Sequence, residues 1–329
     1  MKAHNIWKEN TEKPEHSITH KPVMSKIKRI LHFFADPFLS IANIIKLNLL
    51  YIHRYLTLKN GLNNSEKRDK KIIVSVTSFP QRIKSCAIVI SYLLSQTCKP
   101  DEIILYLAED QFPGHKLPSL LRKEMKYGVK VEFCENLRSH KKYFYSMQQY
   151  SEDIVITIDD DFIYRSDLIE ILMNGYKKNP KCISCLHASR MQFNGDSLEG
   201  YDNWPGVDEI LVPSMQNVAI GLGGILYPPH CLHSEVFNKD AILKTCFNAD
   251  DLWLKTMEVM NNIPVQKAGP IYAKYVPSSQ NIALYKSNLN DAKSDKKTRS
   301  NNDIQFENIL NEYNTFFGKD DTLISRMKK

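Results

Sequence analysis

Residues Ile154 to Ile158 form a short, uninterrupted apolar and β-branched run that stops abruptly in three carboxylates, Asp159, Asp160 and Asp161. Because the run is continuous rather than alternating, it predicts a strand buried on both faces, the kind found inside a parallel sheet covered by helices. The carboxyl ends of such strands are where open α/β sheets bind ligands. On an extended chain, side chains two apart point the same way, so Asp159 and Asp161 are expected to converge on one object while Asp160 faces elsewhere. Three adjacent negative charges repel one another, and a divalent cation relieves that repulsion. The alternative reading is a solvated acidic loop that caps the following helix.

The segments around this run alternate in type. Strands are expected at Ile72–Val76, Glu102–Leu107, Val129–Phe133 and Cys182–His187, and helices at 83–96, 142–150 and 166–176, the last capped by Ser166 with Asp167 in its first turn. This alternation predicts an α/β fold with a mainly parallel sheet and helices on both faces. With 43% of its 329 residues hydrophobic, the chain can bury such a core. Residues 194–213 are rich in loop formers and suit a substrate wall, whereas 286–303 are polar and expected to be mobile.

The charge is unevenly placed. Residues 1–71 hold 14 Lys plus Arg against 6 Asp plus Glu, a net of +8, although the whole chain carries only +7. The neutral remainder lacks the basic face that nucleic-acid binding needs. Residues 24–58 are apolar and aromatic, but Asp36, Pro37, Lys46 and Arg54 interrupt them before a membrane-spanning length is reached. Pro37 is expected to break or start a helix. Two readings remain open for this arm: an interfacial helix on an anionic membrane surface, or a helix packed on the main domain. The seven scattered cysteines argue for a reducing compartment, and Cys182 with Cys185 forms a single CxxC without the second pair that a zinc site requires.

Two further motifs follow the triplet. Gly221, Gly223 and Gly224 in GLGGILYPP permit close backbone approach to a ligand, and Asn248-Ala249-Asp250-Asp251-Leu252 opens a helix carrying Trp253. Asn248 is available as that helix's cap, which leaves the Asp pair without a purely structural need. His230 and His233, beside the glycine loop, are assigned to surface or acceptor-pocket polarity.

Between Lys71 and Tyr285 the ordered set VTSFPQR, SQTCKPDEIIL, IVITIDDD, GLGGILYPP and ADDLW resembles the GT-A nucleotide-sugar glycosyltransferases, similar to the family 2 group of bacterial surface polysaccharide synthesis. The second strand departs from the pattern, ending in AEDQFPG where many members carry a VDDGS-like turn, and no QxxRW-type segment marks a processive synthase. The resemblance implies a Rossmann-like GT-A domain at 71–285, with a nucleotide half (71–165) and an acceptor half (166–285), between a basic arm at 1–70 and a carboxyl-terminal segment ending in a helix. It implies Mn2+ or Mg2+ held by Asp161 and Asp159. Donor contacts would come from Thr77, Ser78, Pro80, Arg82, Asp159, Asp160 and Lys142, with Lys141 a further candidate for the phosphates. Asp251 would act as base with Asp250 orienting the acceptor, and Gly223, Gly224 and Trp253 would form the acceptor side. The implied partners are a nucleotide-sugar donor and a glycan or lipid-linked acceptor. The implied location is the cytoplasm or the inner face of its membrane.

Two rivals are weighed against this. A haloacid dehalogenase-type phosphatase also places DxD after an apolar strand, but on the first strand of its domain and with Thr or Val where Ile163 stands here. A non-catalytic membrane-associated binding protein would explain the basic arm, yet it gives no reason for two acidic clusters and a glycine loop.

Overall fold

The computed structural model describes residues 26–277, 279 and 300–329, with side chains from Ile41 onward. The chain divides into two units at Ala42, and the described residues from Asn43 onward belong to the larger. In the larger unit β1 (Ile72–Thr77), β2 (Glu102–Ala108), β3 (Lys130–Cys134) and β4 (Ile154–Ile158) lie parallel in the order β4-β1-β2-β3. Ile225–Tyr227 adds to β4 antiparallel, and Ile183–Cys185 and Val265–Lys267 complete a seven-stranded sheet. The expected α/β class, mainly parallel and covered on both faces, is what forms.

The alternate residues of each strand divide between two sides. Val74, Val76, Ile103 and Leu105 pack against the almost wholly apolar α2 (Ile83–Leu93) and against α3 (Ser119–Lys126), together with α5 (Leu168–Lys178). Ile73, Ile104 and Val155 face α4 (Lys141–Gln149). A second core gathers around α7 (Asp250–Met260), joined by α6 (Lys239–Thr245), α8 (Asn301–Tyr313) and α9 (Leu323–Met327). The chain passes from β1 outward to β3 and then returns to β4 on the other side of β1, so strand order reverses between β1 and β4. A crevice opens at their carboxyl ends, the usual ligand position in such sheets.

The amino-terminal helix α1 (Lys26–Thr57) continues through position 37, where a break or start was expected; over 32 residues it bears the one backbone hydrogen bond that proline removes. From Asn43 onward one face of it belongs to the larger unit. Leu47, Leu50 and Tyr51 pack on the core, and Leu58 and Leu62, assigned above to the arm and linker, are buried within it. Arg54 donates to Ser91 Oγ at 2.8 Å and to the Ser91 carbonyl at 2.5 Å, with its guanidinium 4.2 Å from the Tyr92 ring centre. The opposite face leaves Ile44, Ile45, Leu49, Ile52 and Leu56 exposed. No helix among the described residues is long and apolar enough to cross a membrane.

Other local expectations are corrected. Ser166 does not cap α5; Asp167 holds that position without a side-chain cap bond and pairs with Arg165 instead. Ser300, within the stretch expected to be polar and mobile, starts α8 through a reciprocal capping box with Asp303; residues 286–299 lie outside the described residues. Cys182 and Cys185 are free and buried.

Candidate active site

The parallel register sets Val76 beside Ile158, so the loop after β1 and the acidic triplet after β4 leave the sheet side by side. Thr77 Oγ1 donates to the Tyr106 carbonyl at 2.9 Å, tying the end of β1 to β2. Ser78 Oγ then donates to Asp160 Oδ2 at 2.6 Å, and Arg82, at the start of α2, reaches Asp160 Oδ1 at 2.8 Å and Asp161 Oδ2 at 3.1 Å. Asp160, expected to face elsewhere, therefore shares one guanidinium with Asp161. Alternation holds only while a chain is extended, and β4 ends at Ile158, so the triplet is a turn that aims Asp160 and Asp161 at one guanidinium and Asp159 elsewhere.

Asp159 faces Lys142. The Lys142 ammonium, buried at the start of α4, donates to Asp159 Oδ1 at 2.8 Å and lies 3.0 Å from Asp250 Oδ2. One lysine thus links the triplet to the acidic start of α7. Gly221 sits against this junction: a Cβ there would fall 2.8 Å from Asp159 Oδ2 and 3.1 Å from Lys142 Nζ, so glycine is required for the approach. Its N–H donates to Asp251 Oδ2 at 3.4 Å, while Asp251 Oδ1 has no hydrogen-bond partner. Ala249 holds the α7 cap position without a side-chain bond. Asn248, the expected cap, instead accepts from Arg138 through Oδ1 and donates its backbone N–H to Gln305 Oε1 at 2.7 Å.

Burial and neighbouring charge set the protonation of these groups. Burial alone would lower the Lys142 pKa, but Asp159 and Asp250 hold it well above its ordinary value. For Asp250, burial pushes up, and Lys142 and the neighbouring His140 more than offset it, keeping the carboxyl below the usual range. Asp251 rises well above that range, through burial and then through Asp250 beside it. Asp161 is pushed up to about 7 by burial and Asp159, against the pull of Arg82. His140, sealed between Tyr143 Oη at 2.7 Å and the Cys246 carbonyl at 2.8 Å, is driven by burial down to about 4 and so is neutral at pH 7.

Apart from His140, these groups line one cavity of about 580 Å³ at the carboxyl edge of the sheet, a size suited to a small-molecule ligand. Of the expected residues, Thr77, Ser78, Arg82, Lys142, Asp159, Asp160, Asp161, Asp250 and Asp251 all line it. Four do not. Pro80 points to solvent. Gly223 and Gly224 are packing glycines, the first against the His187 backbone and the second, at a φ of +72°, against Ile158 and Leu168. Trp253 is fully buried in the second core, donating Nε1–H to the Val236 carbonyl at 3.1 Å. His230 pairs with Glu152 away from the cavity. Sequence reasoning missed Gly221 as the contact glycine, and it missed Tyr201, Tyr275 and Asn302, which reach the wall from distant segments. Tyr201 does come from the loop expected to form a substrate wall, and Asp303 Oδ1 accepts its N–H at 2.7 Å.

No protein-family model matches this chain, and no curated protein is similar to it. Among solved structures it is similar to the mannosyltransferase PcManGT from Pyrobaculum calidifontis in complex with GDP-Man and Mn2+, at 12% identity and a TM-score of 0.40, over 73% of this chain and 67% of that one. It is also similar to GalNAc-T7 with UDP, GalNAc and Mn2+ (10% identity, TM-score 0.41, 67% of this chain and 49% of that one). A third is a CMP:2-keto-3-deoxy-manno-octonic acid synthetase complexed with CTP (11% identity, TM-score 0.40, 66% and 98%). Likenesses this distant transfer no activity to this chain.

Among the described residues no three His, Cys, Asp or Glu side chains converge as a ready metal-binding group. The carboxylates nonetheless fit a hard divalent cation. Asp159 and Asp161 both line the cavity, where burial and then Asp159 hold the Asp161 pKa up, and carboxylate oxygens are the ligands Mg2+ and Mn2+ prefer.

Proposed function

We propose that this chain transfers a sugar from a nucleoside-diphosphate sugar to a hydroxyl of a glycan or lipid-linked acceptor, with inversion, in surface polysaccharide synthesis. The observation that carries this reading is the Lys142 bridge, which sets the β4 acidic triplet and the α7 acidic pair on one cavity at the sheet's switch point. A group transfer of this kind needs charge stabilisation on the leaving side and a base on the attacking side.

In this reading Asp251, which lines the cavity and has one oxygen without a hydrogen-bond partner, takes the proton from the acceptor hydroxyl. Asp250, fixed by Lys142, orients the acceptor. Arg82 and Ser78 hold Asp160 in place. Asp159 and Asp161 would hold Mn2+ or Mg2+, which when bound offsets the charge that develops on the departing diphosphate. Asp161→Asn, nearly isosteric but uncharged, is expected to abolish transfer and to weaken manganese-dependent nucleotide binding measured by calorimetry. Full activity, or activity indifferent to chelator, would remove the triplet from the mechanism.

The exposed apolar stripe of α1, in an amino-terminal region with a net charge of +8, supports peripheral association with the anionic inner face of the cytoplasmic membrane. The full chain is expected to co-sediment with vesicles containing anionic lipid, less so at high salt. Ile45→Glu with Leu49→Glu should abolish binding without lowering the melting temperature, because both side chains face solvent. Unchanged co-sedimentation of that double variant would rule the stripe out as the anchor.

A further inference from the structure

Four cationic side chains line the cavity: Arg82, Arg138, Lys141 and Lys142. Three are engaged. Arg82 holds Asp160 and Asp161, Lys142 holds Asp159 and Asp250, and Arg138 donates to Asn248 with its guanidinium 4.8 Å from the Phe247 ring centre. Lys141 differs: it is only 3% exposed, yet its ammonium makes no hydrogen bond or ion pair among the described residues. Successive helix residues point about 100° apart, so the first two residues of α4 serve different neighbours. Lys142 is used up inside the protein, and Lys141 is left facing the cavity.

An ammonium without a partner, on a side chain this buried, is costly to maintain. Burial pulls the Lys141 pKa down; Cys134, Asp110 and Asp160 nearby favour its charge, and Arg138 opposes it. None of these is bonded to it, so the ammonium keeps its hydrogen-bonding positions open for an anion. We propose that Lys141, and not Lys142, is the cation of this cavity that binds the diphosphate of a nucleoside diphosphate, with Lys142 acting as an internal bridge between the two acidic clusters. The proposal rests on the nucleotide-sugar reading for the identity of the anion. Its geometric basis, a buried ammonium lining a cavity without a partner, does not.

The test uses the full chain and inorganic pyrophosphate as the probe, titrated calorimetrically at a fixed magnesium concentration. Wild type is expected to bind, and Lys141→Met to bind ~10-fold more weakly or worse, the usual size of a lost hydrogen bond to a charged group. Lys141→Arg should restore most of the affinity, since it keeps the charge. The melting temperature of Lys141→Met should stay level or rise, because the variant breaks no hydrogen bond or ion pair within the described residues. Equal pyrophosphate affinity in wild type and Lys141→Met, no binding to wild type, or a marked fall in melting temperature would each overturn the assignment. Lysine-dependent pyrophosphate binding in a protein that turns over no nucleotide sugar would uphold the subsite and sink the proposed reaction, so the two failures are distinguishable.

Discussion

Asp251→Asn is expected to slow the chemical step by ~100-fold or more, the usual size of a lost general base, while the protein stays folded and binds donor normally. The substitution removes a charge from a carboxyl whose pKa burial and Asp250 already raise, and Asn keeps an oxygen to accept the Gly221 N–H. Stability should therefore hold or improve slightly. A helix-start role predicts a different pattern. Asp251 lies in the first turn of α7, where an acidic residue gains about 0.3–1 kcal/mol from the helix dipole. A purely structural Asp251 would lower stability by that amount and leave single-turnover rate unchanged. Asp250→Asn should behave differently from both, because Asp250 is paired to Lys142: the chemical step changes less and acceptor affinity more. Melting temperature, donor affinity and single-turnover rate measured on the same Asp251→Asn sample separate these outcomes, and turnover near that of wild type would end the assignment.

The second large effect is on stability. Lys142→Met is expected to destabilise the protein by ~3–5 kcal/mol, the range for removing one partner of a buried ion pair, with a fall in melting temperature on the order of 10 °C. Asp250 is buried and Asp159 partly so, and Lys142 is the only cation within ion-pair distance of either among the described residues. The pH dependence gives the sign. In wild type the Asp250 pKa is depressed, so its contribution is present above the ordinary carboxylate range and is lost as pH falls through the depressed value. Without Lys142 the same burial raises that pKa, and the deficit should be largest at neutral pH and shrink on acidification, as Asp250 protonates in the fold. Chemical denaturation of wild type and variant at pH 7 and pH 5 measures it. A deficit that is small, or equal at both pH values, would mean that the bridge is not what holds the two acidic clusters together.

The sheet was legible because continuous apolar runs such as Ile72–Val76 and Ile154–Ile158 leave few alternatives once they alternate with helical segments. The gathering of Asp159, Asp160 and Asp161 with Asp250 and Asp251 on one cavity was legible from the motifs and their order. The partners of individual carboxylates were not. Asp160 and Asp161 share Arg82 because the chain turns immediately after Ile158, and no periodicity rule covers a turn. Gly221 was hidden among three glycines of equal appearance; only its distance from Asp159 and Lys142 sets it apart from Gly223 and Gly224, which pack against backbone and core. Trp253 lay beside a chemical motif, but its helix turns it into the second core, where its ring meets Tyr313 with centroids 5.8 Å apart. Asn302 reaches the cavity from α8, beyond the stretch that carried the resemblance, and such long-range contacts leave no local trace.

The most direct measurement is product release by the wild-type protein, with manganese, from a panel of nucleoside-diphosphate sugars set beside a panel of phosphate monoesters. Slow release of nucleoside diphosphate from at least one sugar donor is expected, accelerated when the matching hydroxyl acceptor is supplied, with no turnover of the monoesters. Steady hydrolysis of the monoesters with the nucleotide sugars left intact would contradict it, and would assign the triplet at the end of β4 to phosphate-ester chemistry instead.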